Sequence, residues 1–191
     1  LEARVLRVFH PRSFHDDPTR ALRAARLAAR LGFRLARGSR SALRDALRDG
    51  AFGAVSGDRL RREFEKLFAD AGLGLDPAAA LRLLGEWHVL GGLEPGLSVP
   101  RAAAPALRRL GRAGAELPAA PSRMRPWVAG LAVWLAEVDA TLRQRTLRRL
   151  AVRGEAAERI AELPKRRARW ARELARARGR GAVDALLEPL D

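Results

Sequence analysis

The sequence contains no cysteine and no tyrosine, and aromatic residues make up only 5% of its 191 residues. The lack of cysteine excludes disulfides, thiolate metal sites and cysteine nucleophiles. No apolar run approaches the ~18 residues of a membrane span, and no secretory-type segment opens the chain. We therefore expect a cytoplasmic protein without a membrane partner. Because the chain opens with Leu1 rather than methionine, we also expect it to be part of a longer protein.

Lysine is nearly absent, yet the formal net charge is +15. Lys66 and Lys165 are the only lysines, so arginine carries the excess. Arginine binds phosphate bidentately and stacks on bases, which favours nucleic acid or a nucleotide as partner. A composition rich in alanine, leucine and arginine is also typical of a GC-rich genome, and charge alone leaves both explanations open.

Apolar residues recur at helical spacing through most of the chain, while period-two runs rich in β-branched residues are missing. The fold class predicted is all-α, a multi-helix bundle. The exception is the short β-compatible segment "RVLRVF" at residues 4–9, which predicts an orphan strand without a sheet.

Capping residues and breakers divide the chain into predicted helices. Six prolines between residues 95 and 126 predict loops and at most short helices there, and a domain boundary. Residues 139–190 predict three or four short helices. The earlier helices are expected to start at Asp17-Pro18 and end at Gly32, to span about Ser41 to Gly50, to start at Ser56, and to run from Asp76-Pro77 to Gly91-Gly92.

The segment "FHPRSFHDDPTRALRAARLAARLGF", residues 9–33, predicts a helix with two unlike faces. Alanine and leucine fill one side, where another helix can approach closely. This pattern fits a core helix with a solvated cationic face, and it also fits a helix that presents cations to phosphate. The other side carries Arg20, Arg23, Arg26 and Arg30.

Asp17 and Arg20 support two interpretations. An aspartate before proline at a helix start is usually a cap that accepts a free backbone amide, here that of residue 20. A fixed carboxylate beside a fixed guanidinium could also present an acceptor next to a donor. Adenine and cytosine both match that edge, because each offers an amino group beside a ring-nitrogen acceptor. Guanine and uracil place a carbonyl where the amino group should be.

The segment "VLRVFHPRSFHDDPTRALRAARLAARLGF" resembles the neck motif of the bacterial tRNA nucleotidyltransferase and poly(A) polymerase family, which includes the CCA-adding enzymes. The resemblance continues through "VSGDRLRREFEKLF" and more loosely through "ALRLLGEWHVLGGLEPGL". It implies a neck domain at residues 1–97, with a base-reading helix at 17–32, and a helical tRNA-binding body at 98–191.

The resemblance also implies roles for individual residues. Asp17 and Arg20 would read the base of incoming ATP or CTP, with Asp16 in support. Arg23 and Arg26 would lie toward the triphosphate and primer. A second neck helix would supply a bracing pair, Arg59 and Glu63.

Family enzymes hold Mg²⁺ on an Asp-x-Asp pair in an N-terminal head built on a β-sheet, and this sequence has no such motif. We therefore expect no catalytic residue, no metal site and no cofactor in this chain, with Mg²⁺ on the missing head. The expected partners are that head, ATP or CTP, and the 3′ end of tRNA or another RNA.

A free-standing basic RNA-binding module, and a structural domain whose charge reflects codon usage, remain alternatives. The sequence does not distinguish CCA addition from A addition or poly(A) synthesis.

The segment "PKRRARWARELARARGRG" at residues 164–181 is strongly basic. We expect phosphate contacts of tRNA at Arg166, Arg167 and Arg172. Trp170 suits a core position of an amphipathic helix, and it also suits base stacking.

Overall fold

The computed structural model describes residues 3–73, 75–116, 125–179 and 181. Its elements are almost all helices, which confirms the all-α prediction. The strands are β1 (Val5–Leu6) and β2 (Arg34–Leu35), and the helices are α1 (Ser13–Asp16), α2 (Thr19–Leu31), α3 (Arg37–Arg48), α4 (Gly57–Ala69), α5 (Pro77–Glu86), α6 (Val89–Leu93), α7 (Ala103–Glu116), α8 (Pro126–Leu135), α9 (Ala140–Arg149) and α10 (Gly154–Arg176). Short 3-10 helices span Ala51–Ala54 and Asp70–Leu73.

The predicted strand exists but is not an orphan. β1 pairs in parallel with β2, with Val5 opposite Arg34 and Leu6 opposite Leu35. Gly32 ends α2 in the left-handed conformation, with φ of 65°, and so returns the chain beside β1. The expectation of an unpaired strand was wrong because its partner is too short to leave a period-two pattern.

Two proline-containing segments are more helical than expected. The prediction of only short helices at residues 95–126 is wrong, because α7 spans Ala103–Glu116. Its Pro105 lies in the first turn, where backbone amides have no helical acceptor to lose. α10 continues through Pro164 for 23 residues. Pairs four residues apart, such as Glu162 with Arg166, support it. The end of the 139–190 stretch lies outside the described residues.

Smaller differences concern helix ends. The second predicted helix begins earlier than Ser41, at Arg37. The helix that starts at Asp76-Pro77 stops at Glu86 instead of reaching Gly91, because His88 has a positive φ of 61°. The chain then turns into α6.

One apolar core runs from Phe14 in α1 to Ile160 in α10. Phe64 of α4 and Trp134 of α8 are fully buried in it, with ring centroids 5.6 Å apart. Gly130 lets α8 approach α4 closely, since a Cβ there would lie 2.1 Å from the Phe68 ring. The predicted domain boundary at residues 97 and 98 stays a prediction.

Backbone carbonyls hold α9 against the earlier helices. The Arg149 guanidinium donates to the carbonyls of Phe52, Val55 and Leu93, at 2.6, 2.9 and 3.1 Å. Gly57, the first residue of α4, packs so closely here that a Cβ would lie 2.6 Å from the Arg149 carbonyl oxygen. The start of α4 therefore packs directly against the end of α9. Among the described helices, none is long and apolar enough to cross a membrane.

Candidate functional site

The entrance of α2 is organised around the Asp17 carboxylate. Asp17 Oδ1 accepts hydrogen bonds from the Thr19 amide at 3.1 Å and from the Thr19 hydroxyl at 2.6 Å. The capping role expected of Asp17 is therefore present, although the amide involved is that of Thr19 rather than Arg20. The Arg20 amide bonds to the backbone carbonyl of Asp17 instead, at 3.1 Å.

Two arginines approach the same carboxylate from different helices. Arg59 Nη2 of α4 lies 2.9 Å from Asp17 Oδ1, and Arg23 Nη2 of α2 lies 3.6 Å from Oδ2. Burial alone would raise the pKa of Asp17, but hydrogen bonds from Thr19 and the positive charges of Arg59 and Arg23 outweigh burial. The pKa of Asp17 is therefore below its ordinary value, and the carboxylate is ionised at neutral pH.

Arg20 is the second residue of α2, but its guanidinium does not bond to Asp17. Its Nη1 donates to the Ser13 carbonyl at 3.2 Å, which links α2 back to the first residue of α1. Among the described residues, no ion pair forms between Asp17 and Arg20. The proposed donor and acceptor thus share the helix entrance without forming a preassembled pair.

The two residues expected to brace the neck helices, Arg59 and Glu63, both belong to α4; Glu63 contacts α2, and Arg59 contacts the segment just before it. Arg59 contacts Asp17, and Glu63 Oε1 accepts from Arg23 Nε at 3.2 Å and from Lys66 at 2.9 Å. The Glu63 side chain is only 4% exposed, and its Oε2 is buried without a partner among the described residues. This buried carboxyl group fixes the position of the Arg23 side chain.

The remaining cations of α2, Arg26 and Arg30, lie further along the helix, and Arg26 is half-buried. Arg26 lies 3.5 Å from Asp70, at the end of α4. Arg30 is exposed in the last turn. The structure thus places Arg23 beside Asp17 and turns Arg26 toward a different part of the molecule.

Asp16 is exposed, and its carboxylate lies 3.6 Å from His10. His15 contacts Asp49 at 3.0 Å. Among the described residues, no group of three or more histidine, aspartate or glutamate side chains could hold a metal ion. The Mg²⁺ implied by the family resemblance therefore finds no ligand set among the described residues.

The basic helix α10 presents its arginines differently. Arg166 pairs with Glu162 at 3.0 Å, and Arg167 pairs with Glu137 of the neighbouring segment. Arg172 is exposed and forms no ion pair with the residues that the structure describes. Trp170 is half-buried, which leaves both of its expected roles open.

Sequence reasoning missed Thr19 as a part of the site. Its hydroxyl is buried between Asp17 and Arg23, at 2.6 and 3.3 Å. A threonine two residues after an aspartate at a helix start was the available signal, because such side chains commonly bond to each other and to local amides.

Comparison with known proteins gave structural matches only. Searches of protein-family models and of curated proteins found no match. The fold matches a tRNA-processing enzyme with CTP at a TM-score of 0.76 and 25% identity, covering 100% of this chain and 52% of that one. It matches a CCA-adding enzyme with ATP at 0.71 and 25%, covering 92% and 41%. It matches the Thermotoga maritima CCA-adding enzyme complexed with tRNA at 0.72 and 26%, covering 91% and 42%.

The chain thus spans about half the length of the solved structures it matches. These matches include both α2 and α10, because they cover nearly the whole chain. The resemblance inferred from the sequence, to the neck and body of tRNA nucleotidyltransferases of the bacterial CCA-adding type, is confirmed by the fold.

Proposed function

We propose that this chain is the neck and body portion of a template-independent tRNA 3′-end nucleotidyltransferase that adds CCA or A. In this proposal the entrance of α2 selects ATP and CTP, and the body holds tRNA. Catalysis requires a nucleotidyltransferase head that supplies the metal-binding carboxylates. The observation that carries the proposal is the similarity to enzymes whose solved structures contain CTP, ATP or tRNA.

Base selection follows from hydrogen-bond chemistry at Asp17 and Arg20. The ionised Asp17 carboxylate only accepts, and the guanidinium only donates. Together they match the amino group and ring nitrogen of adenine or cytosine. The carbonyl of guanine or uracil would face the carboxylate without a proton between them, a mismatch that costs a few kcal/mol in a dry site.

Arg20 would have to move before it can read a base. Its present bond to the Ser13 carbonyl is a single contact of 3.2 Å, and the guanidinium is half-buried. Replacing that contact by one to a base nitrogen exchanges one hydrogen bond for another, at small net cost. Asp17 is already fixed by Thr19 and Arg59, so only one of the two side chains needs to reorient.

RNA binding would use the cationic face of α10, together with exposed arginines of α2. Phosphate contacts of this kind are independent of sequence and weaken with salt. Arg172 is the clearest candidate, because no carboxylate of the described residues neutralises it. Arg166 and Arg167 would exchange their glutamate partners, Glu162 and Glu137, for phosphate.

Nucleotide binding to the chain itself tests this function. NMR titration with each of the four ribonucleoside triphosphates should show tighter binding of CTP and ATP than of UTP and GTP. Arg20→Ala should remove the preference, while the control Arg30→Ala, at the other end of α2, should keep it. Incubated with tRNA, Mg²⁺ and labelled ATP or CTP, the chain alone should add nothing.

Equal binding of all four nucleotides by the wild-type chain would contradict the proposed base selection. If RNA still bound, the free-standing RNA-binding module would then be the better account. Incorporation of label by the purified chain alone would overturn the assignment of catalysis to a separate head.

A further inference from the structure

Thr19 connects Asp17 to Arg23 through a hydroxyl of fixed direction. The side chain is 1% exposed, and its Oγ1 lies 2.6 Å from Asp17 Oδ1 and 3.3 Å from Arg23 Nη2. A guanidinium can only donate, so Oγ1 accepts from Arg23. The single hydroxyl proton is then directed to Asp17. Because Glu63 holds Arg23 in turn, the direction of this bond is set by buried groups of both helices.

The two oxygens of the Asp17 carboxylate have unequal surroundings. Oδ1 receives the Thr19 amide, the Thr19 hydroxyl and Arg59 Nη2, at 3.1, 2.6 and 2.9 Å. Oδ2 has only Arg23 Nη2 near it, at 3.6 Å, which is too long for a hydrogen bond. Within the described residues, Oδ2 is therefore the oxygen left to accept a further donor. Rotation of the carboxylate would break the contacts to Oδ1.

We infer that Thr19 is a positioning residue for base selection, a role that rests on the proposed function of this site. Its hydroxyl holds Oδ1 in place so that Oδ2 is the atom presented to the amino group of adenine or cytosine. Arg59 of α4 also donates to Oδ1, but half of its side chain is exposed to solvent. Thr19 supplies the buried contact.

Thr19→Val removes the hydroxyl and keeps the shape of the side chain. The amide of residue 19 still donates to Oδ1, so the helix start is kept. Oδ1 loses its shortest hydrogen bond, and Arg23 loses an acceptor. The carboxylate can then turn toward Arg23, and the preference for CTP over UTP should fall by about tenfold, the value of one well-placed hydrogen bond.

The experiment compares wild type with Thr19→Val, Thr19→Ser and a matched control in α9, Thr146→Val. Thr146 is equally buried, and its hydroxyl donates to the Leu142 carbonyl at 2.8 Å, so the control loses a similar hydrogen bond elsewhere. Two quantities are measured on the chain by NMR: the pKa of the Asp17 carboxyl group, and the affinities for CTP and UTP. Thr19→Ala provides a second variant without the hydroxyl if the valine variant does not fold.

We expect Thr19→Val to raise the pKa of Asp17 and to reduce the CTP preference. Thr19→Ser and Thr146→Val should resemble wild type in both quantities. If wild type prefers CTP and Thr19→Val keeps the full preference, the positioning role is wrong while the proposed function stands. A loss of preference in Thr146→Val as large as that in Thr19→Val would also overturn it. If wild type shows no preference, the proposed function fails and this inference fails with it.

Discussion

Arginine is used in two different ways in α2 and α10. In α2, Arg23 contacts a glutamate of another helix that is only 4% exposed. In α10, Arg166 and Arg169 pair with glutamates four residues away on the same helix, with both partners in contact with solvent. Pairs within one exposed helix contribute little and can be exchanged for other anions. Pairs between helices fix side chains in space, which a selective site requires and a phosphate-binding surface does not.

Removal of one glutamate from each region should give the largest difference. Glu63→Ala leaves Arg23 and Lys66 without their shared partner and opens a cavity between α2 and α4, so we expect a loss of about 2 kcal/mol of unfolding free energy. Glu162→Ala breaks one exposed pair in α10 and should cost about 0.3 kcal/mol. Urea denaturation measures both. Equal losses in the two variants would remove the distinction between the regions.

Charge reversal in α10 should affect RNA binding more than stability. Changing Arg166, Arg167 and Arg172 together to glutamate should weaken tRNA binding by about tenfold or more at low salt, and should flatten the dependence of affinity on salt. Filter binding over a series of salt concentrations measures the slope. An unchanged slope would place the RNA-binding surface outside α10.

The cap at Asp17 should have a smaller effect on stability. Asp17→Ala removes the acceptor for the Thr19 amide and should cost about 1 kcal/mol. Asp17→Asn keeps an oxygen for that amide and should melt close to wild type. A cost near zero for Asp17→Ala would mean that Thr19 and Arg59 find other partners without loss.

Lowering the pH should produce the smallest change in folding stability that can be assigned to this site. The pKa of Asp17 is below its ordinary value, so its ionised form stabilises the fold above about pH 4, and this contribution is lost as pH falls through the lowered pKa. Asp17→Asn should therefore lose less stability than wild type between pH 7 and pH 2. The stability of Asp17→Asn should still fall with decreasing pH, because hydrogen bonds from His15 and Arg61 also lower the pKa values of Asp49 and Asp58.

The sequence predicted elements whose signals are local. The end of α2 at Gly32 and the capping aspartate at position 76 were correctly predicted, because a left-handed residue and a cap act within one turn. The parallel partner of β1 was not predicted, because two residues carry no periodicity. The contact of Arg20 with the Ser13 carbonyl was not predicted either, since any residue type offers the same backbone acceptor.

For the same reason, the sequence indicated some of the residues near the start of α2, but it missed Thr19 and did not indicate which atoms these residues use. Asp17, Arg23 and Glu63 could be named from their positions in the motif. Asp17 Oδ1 accepts three hydrogen bonds, whereas Oδ2 accepts none from the described residues, and this difference depends on rotamers set by packing between α2 and α4. Such detail follows only from the three-dimensional arrangement.

The most direct test of base selection at α2 is the nucleotide preference of Asp17→Asn. The asparagine oxygen can take the place of Oδ1 and preserve the cap, but its amide group would then donate where a base amino group needs an acceptor. We predict that the ratio of CTP to UTP affinity, measured by NMR titration, falls toward one while the melting temperature stays near that of wild type. An unchanged ratio at an unchanged melting temperature would show that Asp17 is only a helix cap and would contradict the account.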